Sequence, residues 1–223
     1  MSRSVPVRYW RKGMKRKISV VGASLVLSLA GGQAMAADQP ETGSITEVPA
    51  GHYTLDPLHS KITWGVDHYG FSHYEGQFVD LSGSLQLAEK PSKSQVSVQL
   101  PLAEVLTGSA LSEHLQGEKF FNSAQYPKAS FKSTSIEMTG DDSAKITGEL
   151  TLNGQTHPLT IDATFNQAAV YPFDKQYRLG FDGTATLKRS DYGIDYLMPE
   201  KGQKGISDEV RLDIEAEFVP QSK

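Results

Sequence analysis

The chain has 223 residues, with 22 Lys and Arg against 26 Asp and Glu, and no cysteine. No disulfide is available, so burial of apolar surface must hold the fold together, and a chain of this length is ample for one domain with a full core. The charge is unevenly placed: residues 1–36 hold seven basic and no acidic residues, leaving 15 against 26 beyond them. That formal −11 argues against nucleic acid as a partner.

The seven cationic side chains end at Lys17 and are followed by an apolar run from Ile18 to Ala30, then by Ala34-Met35-Ala36. This order of charge, apolar core and small-x-small site is that of a secretory signal removed after Ala36. The apolar run is also too short for a membrane span. Residues 37–51 are rich in Pro, Glu, Thr and Ser without periodicity and read as a flexible leader. The domain proper is expected over 52–220.

Within that domain the dominant signal is period two, the mark of strands with one apolar face. Ile62, Trp64 and Val66 alternate with polar neighbours, as do Val79, Leu81, Leu85 and Leu87, and then Val96, Val98 and Leu100. The fourth run has Ala129 and Phe131 on one parity and Ile136 and Met138 on the other, so a bulge is expected between them. Ile146, Leu150 and Leu152 lead into Asn153-Gly154, a hairpin signal, and Leu159, Ile161, Ala163 and Phe165 return. The last two runs are Tyr177 to Leu187 and Val210 to Phe218, the latter with a charged residue at every second position. Between Pro101 and Pro127, the spacing of Leu111, Leu115, Phe120 and Phe121 predicts one or two short helices in the third connection.

Eight sequential antiparallel strands with one apolar face make a sandwich or a closed barrel. Closure removes the edges, and an eight-stranded barrel has room for side chains or one small ligand. The expected fold is therefore all-β, an eight-stranded up-and-down lipocalin-like barrel. The inner Gly83, Gly148, Gly183, Ala163, Ala185 and Ala216 would leave room inside. In that order the long connections 101–127 and 190–207 and the loop 69–74 share one end, which forms a mouth.

Inward parity nominates a ligand-binding wall. It takes Ile62, Trp64, Val66 and His68 from the first run, Phe71 from the loop after it, Val98 and Leu100 from the third, and Leu115 and Phe120 from the helical connection. Phe131, Leu150 and Ile161 continue it, followed by Phe181, Leu187 and Arg189, then Asp208, Val210 and Leu212. His68, Arg189 and Asp208 fall at the mouth, where they would meet a polar head or pair with one another. An inward Arg requires a carboxylate or a ligand acceptor beside it.

The segments Leu55-Asp56-Pro57-Leu58-His59-Ser60, Val66-Asp67-His68 and Gly76-Gln77-Phe78 resemble the opening of the YceI-like family of polyisoprenoid-binding proteins. So, in order, do Phe120-Phe121-Asn122, Gly148 to Gly154, Arg189-Ser190-Asp191-Tyr192-Gly193 and Ser207-Asp208-Glu209-Val210. The resemblance spans essentially the whole domain. It implies a periplasmic carrier whose tunnel binds a long-chain isoprenoid lipid or isoprenoid quinone. No cofactor is implied beyond that bound ligand, and His68 and Arg189 stand at matching positions. It also implies an alternative role as accessory partner of an inner-membrane b-type cytochrome in quinone redox or stress defence, and leaves a homodimer open.

The chain is not expected to be an enzyme. The competing reading is a hydrolase or metal-dependent enzyme built on the mouth histidines. No Ser stands on a nucleophile-elbow pattern, and His59 and His68, nine apart, would point to opposite faces of a straight strand. No catalytic residue and no metal ligand is nominated.

Overall fold

The computed structural model describes residues 39 and 41–221, so the expected signal over 1–36 lies outside the described residues. The strands are β1 (Gly51–Leu55), β2 (Lys61–His68), β3 (Ser72–Phe78), β4 (Ser82–Leu87), β5 (Gln95–Pro101), β6 (Val105–Leu106), β7 (Lys128–Met138), β8 (Ser143–Leu152), β9 (Gln155–Val170), β10 (Tyr177–Lys188) and β11 (Glu209–Pro220). All pairings are antiparallel.

These segments form eight staves. β1 and β2 run along the same edge of β11, with Leu55 opposite Phe218 and Ile62 opposite Ile214, and are one stave interrupted at 56–60. β3 and β4 form a second interrupted stave, since β3 pairs with β2 and β4 with β1. β5, β7, β8, β9 and β10 follow in order, and β11 closes the ring. Every strand but β6, which pairs only with β3, is thus flanked on both sides among the described residues.

Local chemistry fixes the register. Asn153 and Gly154 both take positive φ, 50° and 75°, which makes the two-residue turn between β8 and β9. The register shifts between Ser133 and Ser135, so Thr134 is the expected bulge; it returns Ile136 and Met138 to the inside with Ala129 and Phe131. The third connection holds one α-helix, α1 (Leu111–Leu115), and a 3-10 turn at Leu102–Glu104.

The flexible-leader expectation is corrected from Thr42 onward. Thr42 exchanges backbone hydrogen bonds with Ala168 at 2.9 and 2.8 Å, and a 3-10 turn at Ile45–Glu47 buries Ile45 and Val48. The segment has no strand or α-helix periodicity, but a 3-10 turn puts residues three apart on one side, so Ile45 and Val48 share a buried face.

Candidate functional site

The barrel interior holds an apolar cavity of about 480 Å³, within the size range of small-molecule sites. Its wall comes from alternate residues of successive staves. Ile62, Trp64, Val66 and His68 line it from β2, Val98 and Leu100 from β5, Phe131 from β7 and Leu150 from β8. Ile161, Phe181, Leu187, Val210 and Leu212 complete the far wall, and Leu115 and Phe120 reach in from the third connection.

Two nominated residues stand elsewhere. Phe71 sits on the β2–β3 turn with 85% of its surface exposed, because the turn breaks the strand's parity. The Asp208 carboxylate is absent from the wall and instead accepts hydrogen bonds from the Ser190 backbone N–H and hydroxyl, both at 2.9 Å. Residues that parity did not nominate also line the mouth: Tyr74, Leu111, His114, Leu197 and Ile206.

Of the small inner residues, Gly183, Ala163 and Ala216 line the cavity, whereas the space beside Gly83 and Gly148 is taken up by neighboring strands. A Cβ at Gly148 would collide with the Phe131 ring, one at Gly76 with the Trp64 indole, and one at Gly183 would press on Ile161. Glycine here lets large side chains lie flat against the wall, which keeps the center open while the wall stays closely packed.

Arg189 is 5% exposed and lines the cavity where β10 ends. Its Nε donates to the Ser207 carbonyl at 2.8 Å, Nη1 to those of Ile194 and Tyr196 at 2.8 and 2.9 Å, and Nη2 to that of Ile206 at 2.9 Å. The required acceptors are thus backbone carbonyls rather than the carboxylate or ligand expected. Four of five guanidinium donors are committed to them. Burial lowers the Arg189 pKa, an effect the nearby Asp208 and Asp195 charges oppose. The guanidinium ties the strap 194–207 across the mouth, and Ile194, Leu197 and Ile206 of that strap reach the cavity.

The rest of the mouth is aromatic and weakly polar. The His68 ring lies 5.1 Å from that of Tyr69, and its backbone bridges to Ile206. His114 contacts Phe120 edge-on at 5.2 Å, and Phe120 contacts Tyr196 at 5.5 Å. Lys119 places its Nζ 4.5 Å from the Tyr196 ring center. Weak donors and acceptors around an apolar bore suit a molecule with a long tail and a small polar head.

At the opposite end is a cluster that sequence reading missed. Arg178 donates to Asp56, to Glu217 at 2.9 Å and to Asp174 at 2.6 Å, while His59 Nδ1 lies 2.8 Å from the Asp56 carboxylate. Partial burial alone would raise the Asp56 pKa, but hydrogen bonds from His59, Arg178 and the Leu58 N–H outweigh it and hold the carboxyl below its ordinary value. Among the described residues, Asp56, His59 and Glu217 are the one group of three potential metal-ligand atoms lying close together. The Arg178 guanidinium already supplies the positive charge there, with Nη1 3.2 Å from His59 Nδ1. The mouth histidines on which a metal-dependent enzyme would rest are not among that group.

A closed up-and-down antiparallel barrel around an apolar bore defines a lipocalin-like fold. Residues 53–218 match the YceI-like domain, and the chain belongs to the YceI-like family. It is 35% identical over 210 residues to a UPF0312 protein of Pseudomonas savastanoi pv. phaseolicola, covering 92% of this chain and 98% of that one. A UPF0312 protein of Ectopseudomonas mendocina is 39% identical over 178 residues, 77% of this chain and 85% of the relative. Among solved structures, the YCEI protein of Campylobacter jejuni superposes with a TM-score of 0.60 at 26% identity, covering 70% of this chain and 90% of its own. Two others share the fold at lower identity. BcnA of Burkholderia cenocepacia has a TM-score of 0.64 at 23% identity, over 73% and 98% of the two chains. A polyisoprenoid binding domain from Saccharophagus degradans has 0.58 at 16%, over 78% and 100%.

Proposed function

We propose that this protein is a lipid-binding carrier that acts in the periplasm after removal of residues 1–36. It holds the tail of a long-chain isoprenoid lipid or isoprenoid quinone in its bore. The observation that carries this reading is the apolar cavity of about 480 Å³ running inside a closed barrel. Membership of the YceI-like family and the fold shared with a polyisoprenoid binding domain support the same ligand class. Each buried methylene contributes roughly 0.8 kcal/mol, so a few prenyl repeats offset the cost of ordering a flexible chain.

The polar head sits at the mouth beside His68, Tyr74 and His114, with the strap held by Arg189 above it. The bound lipid is the only non-protein group this reading requires. A membrane-bound b-type cytochrome that uses quinone is a fitting donor or acceptor, and two barrels could pair while the lipid passes. The test is to export the precursor in a Gram-negative host, recover the cleaved protein from the periplasm, and weigh its organic extract by mass spectrometry. One prenyl lipid per chain is expected. Protein that emerges lipid-free and takes up no added isoprenoid quinone contradicts the proposal.

A further inference from the structure

The cavity has two ends, and the staves treat them differently. One is ringed by the long connections. The other is covered by the segment 42–48, which precedes the stretch 53–218 matched by the family. Ile45 is 6% exposed and belongs to the cavity wall, together with Pro91, Met138 and Asp142 at the same end.

This cap is pinned rather than loosely laid on. The Ile45 backbone N–H donates to Asp142 Oδ1 at 3.0 Å, and the Phe165 N–H donates to the Asp142 carbonyl at 2.8 Å. Asp142 thereby joins the cap, the β7–β8 turn and β9. Within the cap, the Thr42 hydroxyl donates to Glu47 Oε2 at 2.6 Å and accepts from the Ser44 N–H at 2.9 Å. Just beyond it, the Tyr53 hydroxyl donates to the Pro49 carbonyl at 2.6 Å. Burial, and then the neighboring Tyr177, push the Tyr53 hydroxyl up to about 12.

We infer that Ile45 is the floor of the tunnel and a specificity-determining residue: the cap sets the longest isoprenoid tail the bore accepts. The inference rests on the carrier reading given above and adds to it a ruler for tail length. A tail entering at the mouth runs along the apolar wall until it meets the Ile45 side chain. Any further repeat must fold back or remain in water. Ile45→Ala removes three carbons against the five of one isoprene repeat, so truncating the floor should lengthen the accepted tail by up to about one repeat. Each repeat excluded from the bore gives up the burial of five carbons and, after ordering costs, should weaken binding about a hundredfold.

The experiment uses the mature chain and benzoquinones carrying isoprenoid tails of graded length, competed against one another and read by native mass spectrometry. Ile45→Ala is expected to raise the length cutoff by up to about one repeat, and Ile45→Phe to lower it. Asp142→Ala unpins the cap and should blur the cutoff even if Ile45→Phe folds poorly. The same length profile in the wild type, Ile45→Ala and Asp142→Ala, with short-tailed quinones still bound, overturns the inference and leaves the carrier reading standing. Binding of no quinone of any length by the wild type overturns both.

Discussion

A largely buried arginine stands at each end of the barrel, and the two are satisfied in opposite ways. Arg178, at the capped end, faces the carboxylates of Asp56, Asp174 and Glu217. Arg189, at the mouth, faces four backbone carbonyls of a single strap. Carboxylates can be protonated or rescued by another cation, whereas carbonyls can be neither, and they need the planar fork of the guanidinium to be reached together. The capped end is therefore a charge lock and the mouth a shape lock. Under the proposed carrier role, in which a lipid tail enters at one end and the other stays shut, that division has a use.

Substitution should separate the two. The largest expected effect is at the mouth: Arg189→Met leaves four carbonyls without their donor in a buried site, costing about 3 kcal/mol in urea unfolding. The strap 194–207 should also become the first site of cleavage in limited proteolysis. Unchanged stability and an uncut strap would break the comparison. At the capped end Arg178→Met should cost about 2 kcal/mol, because its partners remain partly hydrated.

The pH dependence should differ as well. Asp56 and Asp174 are held below the ordinary carboxylate value of 3.8 by hydrogen bonds that include those from Arg178. The stability they add is full above that value and is lost as the pH falls through their lower folded values. The wild type should thus lose stability steeply below about pH 4, and Arg178→Met less so. Arg189→Met should keep the wild-type acid slope. Stability curves against pH for the three proteins decide this.

The smallest and sharpest difference comes from the lysine swaps. Arg178→Lys keeps a cation among carboxylates and should recover about half of what methionine loses. Arg189→Lys keeps the charge without the fork and should recover little. Equal recovery at both sites, in the same unfolding assay, would erase the distinction between charge and shape.

The barrel itself was legible because period-two runs report which face of each strand is inside. The Asn153-Gly154 turn and the bulge between Ser133 and Ser135 had equally local signatures. Parity also placed most of the wall, from Ile62 to Leu212. It failed at Phe71, where a turn resets the alternation, and at Asp208, whose carboxylate is taken up by Ser190. The Arg178 cluster had no signature because only Asp174 is a local neighbor, four residues away, while Asp56 and Glu217 are brought to it from distant parts of the chain. The carbonyls around Arg189 were invisible because backbone acceptors carry no sequence identity. The cap was missed since one 3-10 turn is too short to show a period.

Trp64 gives the most direct reading of the bore. Once residues 1–36 are removed it is the sole tryptophan, and its ring forms part of the cavity wall. Titrating the mature protein with an isoprenoid quinone, a quencher of indole fluorescence, should take the blue-shifted emission of a shielded Trp64 down saturably, ending at one quinone per chain. Emission typical of a water-exposed indole, or fluorescence that no quinone diminishes, would contradict a hollow tunnel that receives a lipid tail.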